Sequence, residues 1–373
     1  MDRKKSGRLR LAGIVLGVIA LALLIAAAVD LAGQEPPKLA EDPPVFPDDP
    51  PLLLEGPAAE EPVEEPGEEA GAEPGEEAVP AVARVGGERS RQVYTLLLVG
   101  SDDGNGNTDT IIVARLDAAA HTLRFVSIPR DTLANIDMRN TRRINAVYAG
   151  VKNSGGDGIE GLKQEIRKLT GFTVDCYLLI DLRVFIEAID LIGGVDFDVP
   201  QAMHYDDDAQ DLHIHLEPGP QRLSGEQAMG LVRFRSGYPN ADLGRVDMQQ
   251  RFLRAAAAQF ISLGTVPHLG ELTKLLAENT ETDLSDSNIR YLARQLLLCR
   301  SEDIRAATMP VRPITVRGAS YVLVELEPWL EMVNEYLNPY TEPVTRENVD
   351  IVTLDASGFH ATGGKLRGAW FFD

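Results

Sequence analysis

Nineteen consecutive uncharged residues, Leu11 to Val29, constrain this chain more than any other feature of it. As an α-helix rising about 1.5 Å per residue, the run would span roughly 28 Å, close to the hydrocarbon core of a bilayer. Arg3, Lys4, Lys5, Arg8 and Arg10 precede it and Asp30 follows it. Basic flanks stay on the cytoplasmic side. The expected arrangement is therefore a cytoplasmic basic tail (1–10), a membrane anchor (11–31) and an extracellular remainder. A cleaved signal peptide ending near Ala26–Ala28 is the competing reading, but its apolar core would be shorter, about 7–15 residues. A buried core helix would leave the flanking charges without a purpose.

The chain has 373 residues, 44% hydrophobic and 25% charged, which is ordinary globular composition and excludes a wholly disordered protein. Its net charge of −21 argues against a general nucleic-acid binder, which needs a basic face to displace counterions. That charge is unevenly placed. Residues 41–80 hold fourteen acids, ten prolines and no base, while 81–373 carry only −10. A segment so acidic, with no periodic apolar face, cannot bury enough surface to offset its ordering entropy. Residues 32–92 are expected to be an acidic, Pro-rich disordered linker. It acts either as a spacer that lifts the head off the membrane or as a passive connection.

From Val93 the pattern becomes regular. Val93–Gly100, Thr110–Asp117 and Thr122–Ile128 read as strands, the last two an antiparallel pair across a short turn. Apolar residues at 159, 162, 166 and 169 form a helical stripe that Gly171 ends. Val174–Asp181 reads as a buried strand, Leu182–Ile192 as a helix and Val195–Val199 as a strand. The stretch from Met203 to Gly219 reads as a hairpin or long loop. Ser224 and Gln227 resemble a capping box that opens a helix over 225–232. Further helices are expected at 242–263, 269–278, 286–299 and 328–337, and strands near 304–309 and 321–326. Alternating strands and helices argue for a sheet layered between helices.

Polar residues fall where predicted strands end, which is where α/β folds place their sites. Asp102 and Asp109 flank one loop. Two carboxylates with phosphate oxygens suit a hard cation such as Mg2+, although an acidic Gly/Asn loop is also an ordinary surface turn. Arg130 and Asp131 follow the third strand. Arg233 and Arg235 alternate, Arg245 and Gln249 share a helix face, and Asp242 stands at that helix's start. Planar guanidinium forks suit phosphate, while surface ion pairs are the plainer alternative for each arginine alone. His204, His213 and His215 raise the question of a metal, but a polar hairpin face is the simpler reading. Cys176 and Cys299 are expected to be buried thiols, with a disulfide between them as the alternative. No G-x-S-x-G nucleophile motif is present.

The blocks LLLVGSDDGNGNTDTIIVARLD, FVSIPRDT, RINAVYA, LIGGVDFDVP, LSGEQAMGLVRFR and DLGRVDMQQRFL occur in order. Together they resemble the LytR–CpsA–Psr family, closely over about 93–262 and more weakly to about 340. The resemblance implies an α/β/α sandwich with a central mixed sheet and an apolar tunnel, occupying 93–340. It implies an enzyme that transfers a glycopolymer, of teichoic acid or capsular polysaccharide type, from a polyprenyl-pyrophosphate carrier to peptidoglycan. Carried over by motif, Asp102 and Asp109 would hold Mg2+, and Arg130, Arg233, Arg235, Arg245 and Gln249 would grip the pyrophosphate. Asp242 would orient these groups, Asp131 or Asp102 would take a proton, and Arg143 would be a further contact to the pyrophosphate lipid. Asn107 stands where the family usually has Arg or Lys, and the loop between the two carboxylates is short. A pyrophosphatase and a non-catalytic lipid-linked glycan binder or regulator are the rival functions. Residues 341–373 lie outside the resemblance and have no legible role.

Overall fold

The computed structural model describes residues 34–42, 82–101, 108–138, 141–207, 212–234, 248, 251–252, 255–256, 275, 280–300, 303–368 and 371–372. Its frame is a six-stranded sheet in the order β10-β3-β2-β1-β4-β9. These strands are β1 (Val93–Ser101), β2 (Thr108–Asp117), β3 (Thr122–Ile128), β4 (Cys176–Asp181), β9 (Thr280–Thr282) and β10 (Ile304–Thr308). β1 and β4 pair in parallel, as do β3 and β10, and the other neighbours are antiparallel. The sheet is therefore mixed, as expected. Two hairpin-like pairs, β5 (Val195–Val199) with β8 (Gly219–Leu223) and β6 (Met203–Asp207) with β7 (Leu212–Leu216), stand outside it. So does the hairpin of β11 (Val311–Val316) and β12 (Ala319–Val324).

The central strands are apolar on both faces because both faces are covered. Leu96 and Leu98 of β1 point into one core with Ile112, Leu178 and Ile180. Leu97 and Val99 point into another with Ile111, Val113 and Val126, as period-two alternation requires. The first core is closed by α3 (Leu182–Leu191), α4 (Gly225–Arg233) and α5 (Asp286–Leu298). The second is closed by α2 (Gly158–Thr170) and α6 (Leu326–Met332); α1 (Val147–Asn153) precedes α2. The result is helices on both faces of a sheet.

Local chemistry sets the helix ends. The Asp157 carboxylate accepts from the amides of Ile159 and Glu160, and Gly171 ends α2 in the left-handed conformation at φ 85°. The capping box expected at Ser224 and Gln227 forms in both directions, at 3.3 and 3.0 Å. Trp329, wholly buried, donates its indole N–H to the Leu169 carbonyl at 2.8 Å and so fixes α6 on the end of α2.

Three stretches dock where the sequence shows no periodicity. Val344, Val349 and Ile351 join the second core, Asn348 donates to the carbonyls of Ala83 and Arg84, and Val352 and Phe371 pack in a separate cluster with Leu133, Tyr321 and Leu323. Within the segment read as a linker, Gln34–Asp42 and residues 82–92 lie on the head. Buried Asp175 collects the Ala40 amide (2.7 Å), the Thr95 amide and hydroxyl, and the Arg89 guanidinium (2.5 Å). Burial pushes the Asp175 carboxyl above its ordinary range, and Arg89 pulls against that shift. Asp42 accepts from the Thr173 amide at 2.6 Å and from the Tyr340 hydroxyl. A few buried polar contacts hold these stretches, and such contacts leave no pattern in composition.

Other expectations differ in detail. The strand near 321–326 begins at Ala319, and its partner β11 was not anticipated. The helix expected over 328–337 is α-helical from Leu326 to Met332, and a π turn then carries the chain to Leu337. Of the helices at 242–263 and 269–278, only isolated residues are described. Met248, Phe252 and Ala256 recur every four residues and are buried in the first core. The anchor expected at 11–31 lies outside the described residues, and among those no helix is long and apolar enough to cross a membrane.

Candidate functional site at the carboxyl edge of the sheet

The sheet gathers the predicted chemistry at one edge. β1 ends at Ser101, which pairs with Thr108 at the start of β2 and with Asp181 at the end of β4. β3 runs parallel to β1 and ends at Ile128 on the same edge. β1 and β3, whose carboxyl ends lead to Asp102 and to the Arg130–Asp131 turn, therefore end on the same edge, one on either side of β2. Gly100 pairs with Thr110, but Ser101 pairs with Thr108. Asp109 is the extra residue of a β-bulge, a device that re-aims side chains at sheet edges.

Arg130 and Asp131 sit in a tight turn. Pro129 accepts from both the amide (3.0 Å) and the hydroxyl (2.5 Å) of Thr132. The Arg130 carbonyl accepts from the Asn145 amide at 3.2 Å, and the Asn145 carbonyl accepts from the buried Thr108 hydroxyl at 3.3 Å. The turn is thus tied to the foot of β2, one residue from Asp109. Asp131 forms an ion pair with Arg143, 3.1 Å from Nε, and both groups are partly exposed. Arg143 also donates from Nε and one terminal nitrogen to the Ser320 carbonyl, at 3.3 and 3.0 Å, and lies 5.2 Å from the centre of the Tyr321 ring. Its fork is planar and pre-aimed. Asp131 is accordingly the counter-ion of an arginine, which narrows its availability as a base.

A second shell of contacts holds this edge. A short ladder, Leu133 with Arg143 and Ala134 with Arg142, closes the loop that carries these residues. Arg142 is wholly buried, donates to the carbonyls of Ile136, Arg367 and Gly368, and lies under the rings of Phe371 and Phe372. Desolvation pulls its pKa down and Asp137 opposes the shift. Asn135, buried, donates to both oxygens of Asp350 and to the Lys365 carbonyl, and accepts from the Arg367 amide. The C-terminal segment, without a legible role in the sequence, is what bolts the Arg130–Arg143 loop to the body.

The structure brings together the backbone of Asp109 and Arg130 and the side chains of Asp131 and Arg143. Arg233 closes α4, and Phe234 leaves that helix in extended backbone with its ring buried. Asp102, Arg235, Asp242, Arg245 and Gln249 lie outside the described residues, and the side chains of Asp109 and Arg233 are not described. Ser320, Tyr321 and Asn145 were missed because a residue in an amphipathic hairpin or short turn carries no motif of its own. Among the described residues no group of three His, Cys, Asp or Glu could hold a metal ion. The histidines form a polar hairpin face: Asp206 meets His213 at 2.9 Å and His215 at 3.0 Å, and His204 meets Glu217 at 3.3 Å. Cys176 and Cys299 are free thiols; burial pushes the first well up and the second up to about 11, so neither is an activated nucleophile.

The chain resembles known proteins in sequence and in fold. The Cell wall biosynthesis protein LcpA of Corynebacterium glutamicum is 30% identical over 244 residues, which cover 60% of this chain and 46% of LcpA. The chain therefore matches less than half of that relative's length. TagU of Oceanobacillus iheyensis, a polyisoprenyl-teichoic acid–peptidoglycan teichoic acid transferase, is 26% identical over 64% of this chain and 73% of its own. The fold resembles that of protein gbs0355 from Streptococcus agalactiae, with a TM-score of 0.53 at 20% identity, covering 65% of this chain and 86% of that one. The sequence model of the LytR_cpsA_psr family matches residues 65–337, most of the chain, from before the first sheet strand to the end of the π turn that follows α6. This chain belongs to the LytR–CpsA–Psr family.

Proposed function

We propose that this protein is a membrane-anchored extracellular transferase. It moves a glycopolymer of teichoic acid or capsular polysaccharide type from a polyprenyl-pyrophosphate carrier to peptidoglycan. The observation that carries the reading is the single sheet edge where the Arg130–Asp131 turn, the bulge at Asp109 and Arg143 meet. Family membership and the printed function of TagU support the substrate class.

In the reaction, a sugar hydroxyl of peptidoglycan attacks the phosphorus nearer the glycan. The bond from that phosphorus to the bridging oxygen breaks, polyprenyl phosphate departs, and the hydroxyl proton passes to a site carboxylate, Asp102 or Asp131. Phosphoryl transfer asks mainly for positioning and charge neutralisation. Arg130 and Arg143 supply fixed guanidinium charge at the edge, and Arg233, Arg235, Arg245 and Gln249 complete the grip on the diphosphate, oriented by Asp242. The hard-oxygen donors Asp102 and Asp109 fit Mg2+, and the bulge sets Asp109 out of the strand ladder at the loop that carries Asp102. Such an ion supplies positive charge to the diphosphate oxygens.

Product analysis tests the function. With lipid-linked glycopolymer and peptidoglycan, the protein should release polyprenyl phosphate and attach glycan to peptidoglycan, and Arg130→Ala should abolish both. Release of two phosphorylated products without attachment identifies a pyrophosphatase, and binding without turnover identifies a glycan sensor. Either outcome refutes the transferase.

A further inference from the structure

The sheet has a second edge, opposite the site, and α5 lies along it. The Tyr177 amide, at the amino end of β4, donates to Asp283 just before α5 begins. Tyr291 of α5 meets Tyr94, the second residue of β1, at 3.4 Å between hydroxyls. After α5 the chain enters β10, where Ile304 pairs with Leu123 near the amino end of β3. The helix thus crosses the amino ends of β4, β1 and β3.

Gln34–Asp42 is strapped along that same edge. The Gln34 side chain accepts from Arg294 at 3.3 Å. Glu35 donates its amide to Ser287 and accepts from Asn288. Ala40 and Asp42 then reach Asp175 and Thr173, immediately before β4. The chain returns to the head at residues 82–84, where Asn348 holds the Ala83 and Arg84 carbonyls close to the Asp42–Tyr340 contact. The acidic residues 43–81 are therefore an excursion between two docked flanks, and their length does not set the distance from the anchor to the head.

What sets it is the stretch from Val29 to Gln34. Five residue steps reach at most roughly 18 Å when fully extended. Any bilayer that holds Leu11–Val29 is within that distance of Gln34, whose side chain meets Arg294. The surface presented there suits it. Leu298 is 48% exposed, one of two large exposed apolar residues among those described. Arg294, exposed, precedes it by one helical turn, Arg300 follows it in an ion pair with Asp303 at 2.8 Å, and Arg305 is exposed at the start of β10. An exposed leucine among arginines is the composition of a face that rests on anionic lipid.

We infer that the α5 edge of the head sits on an anionic lipid surface, held there by the Gln34–Asp42 strap, with the Arg130 edge facing away from the membrane. The inference rests on reading Leu11–Val29 as a membrane span. Nine residues of β1 separate the two edges, roughly 26 Å at about 3.3 Å per residue. The diphosphate of a lipid carrier has to rise by about that distance to reach the site.

The test uses the full chain in vesicles of phosphatidylcholine with phosphatidylglycerol. A donor fluorophore is attached at Asp286→Cys in a Cys299→Ala background, where the remaining thiol, Cys176, is buried. The acceptor is carried on lipid headgroups. Energy transfer should be high and should stay within about a tenth when residues 43–81 are replaced by a short Gly-Ser linker. It should fall at least twofold when Ala40 and Asp42 are changed together to Pro and Ala, and likewise in the Arg294→Glu/Leu298→Glu pair. A rise in transfer on shortening 43–81 restores the spacer and overturns the inference, as does indifference to the strap and surface variants. Alkaline extraction separates the two readings: protein released from the vesicles refutes the span itself. Protein retained with low transfer refutes the docking alone.

Discussion

Replacing Asn135 by alanine tests whether the C-terminal segment carries the site loop. Asn135 is 2% exposed and its side chain makes four hydrogen bonds, all to residues more than 200 positions away. The variant strands the Arg367 amide, the Lys365 carbonyl and two bonds' worth of the Asp350 carboxylate. A buried polar group without its partner costs about 1–3 kcal/mol, and a shared network loses less than the sum of its parts. The expected loss is about 3–5 kcal/mol, a large share of the roughly 5–15 kcal/mol that keeps a domain folded. Urea unfolding at neutral pH, followed by the fluorescence of buried Trp329, measures it. The slope of the transition should not change. Amide exchange at Leu133 and Ile144, whose bonds close the loop, should accelerate with the global loss. A loss below about 1 kcal/mol would refute the idea that this network secures the loop.

Two further outcomes follow from the same geometry. Asp131→Asn removes the counter-charge of a partly exposed Arg143, so stability should change by less than about 1 kcal/mol. Affinity for geranylgeranyl pyrophosphate, read by calorimetry, should rise by about 1 kcal/mol, roughly fivefold, because a carboxylate beside the diphosphate is removed while the Ser320 carbonyl keeps Arg143 aimed, and unchanged affinity would remove Arg143 from the site. Burial raises the Asp350 carboxyl above its ordinary value of 3.8, with Lys168 and Asn135 opposing the shift. A carboxyl raised in the folded state contributes fully below its unfolded pKa and loses that contribution as pH climbs through the folded one. Asp350→Asn should therefore gain stability relative to the unmodified chain as pH rises from about 4 to 7. A relative decline over that range would show that its burial penalty has been misassigned.

Elements with a face to bury were legible in the sequence. The strands at 93–101, 108–117 and 122–128 and the helix at 158–170 stand within two residues of the pattern, because apolar periodicity is the trace that burial leaves. The capping box at Ser224 was legible because its spacing is dictated by one turn of helix. Docking by single polar residues was not. Nothing marks Asp42, Asn135 or Asn348 as buried, since each gains its partners from segments far along the chain. At the site, Arg130 and Asp131 were found by their position after an apolar strand. Their tie to Ser320 and Tyr321 through Arg143 depends on a hairpin that pairs across 180 residues of sequence and has no local sign.

The neighbour relation between β3 and β10 has a consequence for how the molecule comes into being. Leu123 must wait for Ile304 before the edge of the sheet beside it is complete, and Asn135 must wait for Asp350. Closing loops of that size is entropically slow and rewards the chain only at the end. A nascent polypeptide halted before residue 304 therefore leaves both the β3 edge and the arginine loop uncovered, and one halted between 308 and 350 leaves only the loop so. A C-terminal truncation that removes Asp350 but keeps β10 should therefore loosen the arginine loop while leaving the sheet complete.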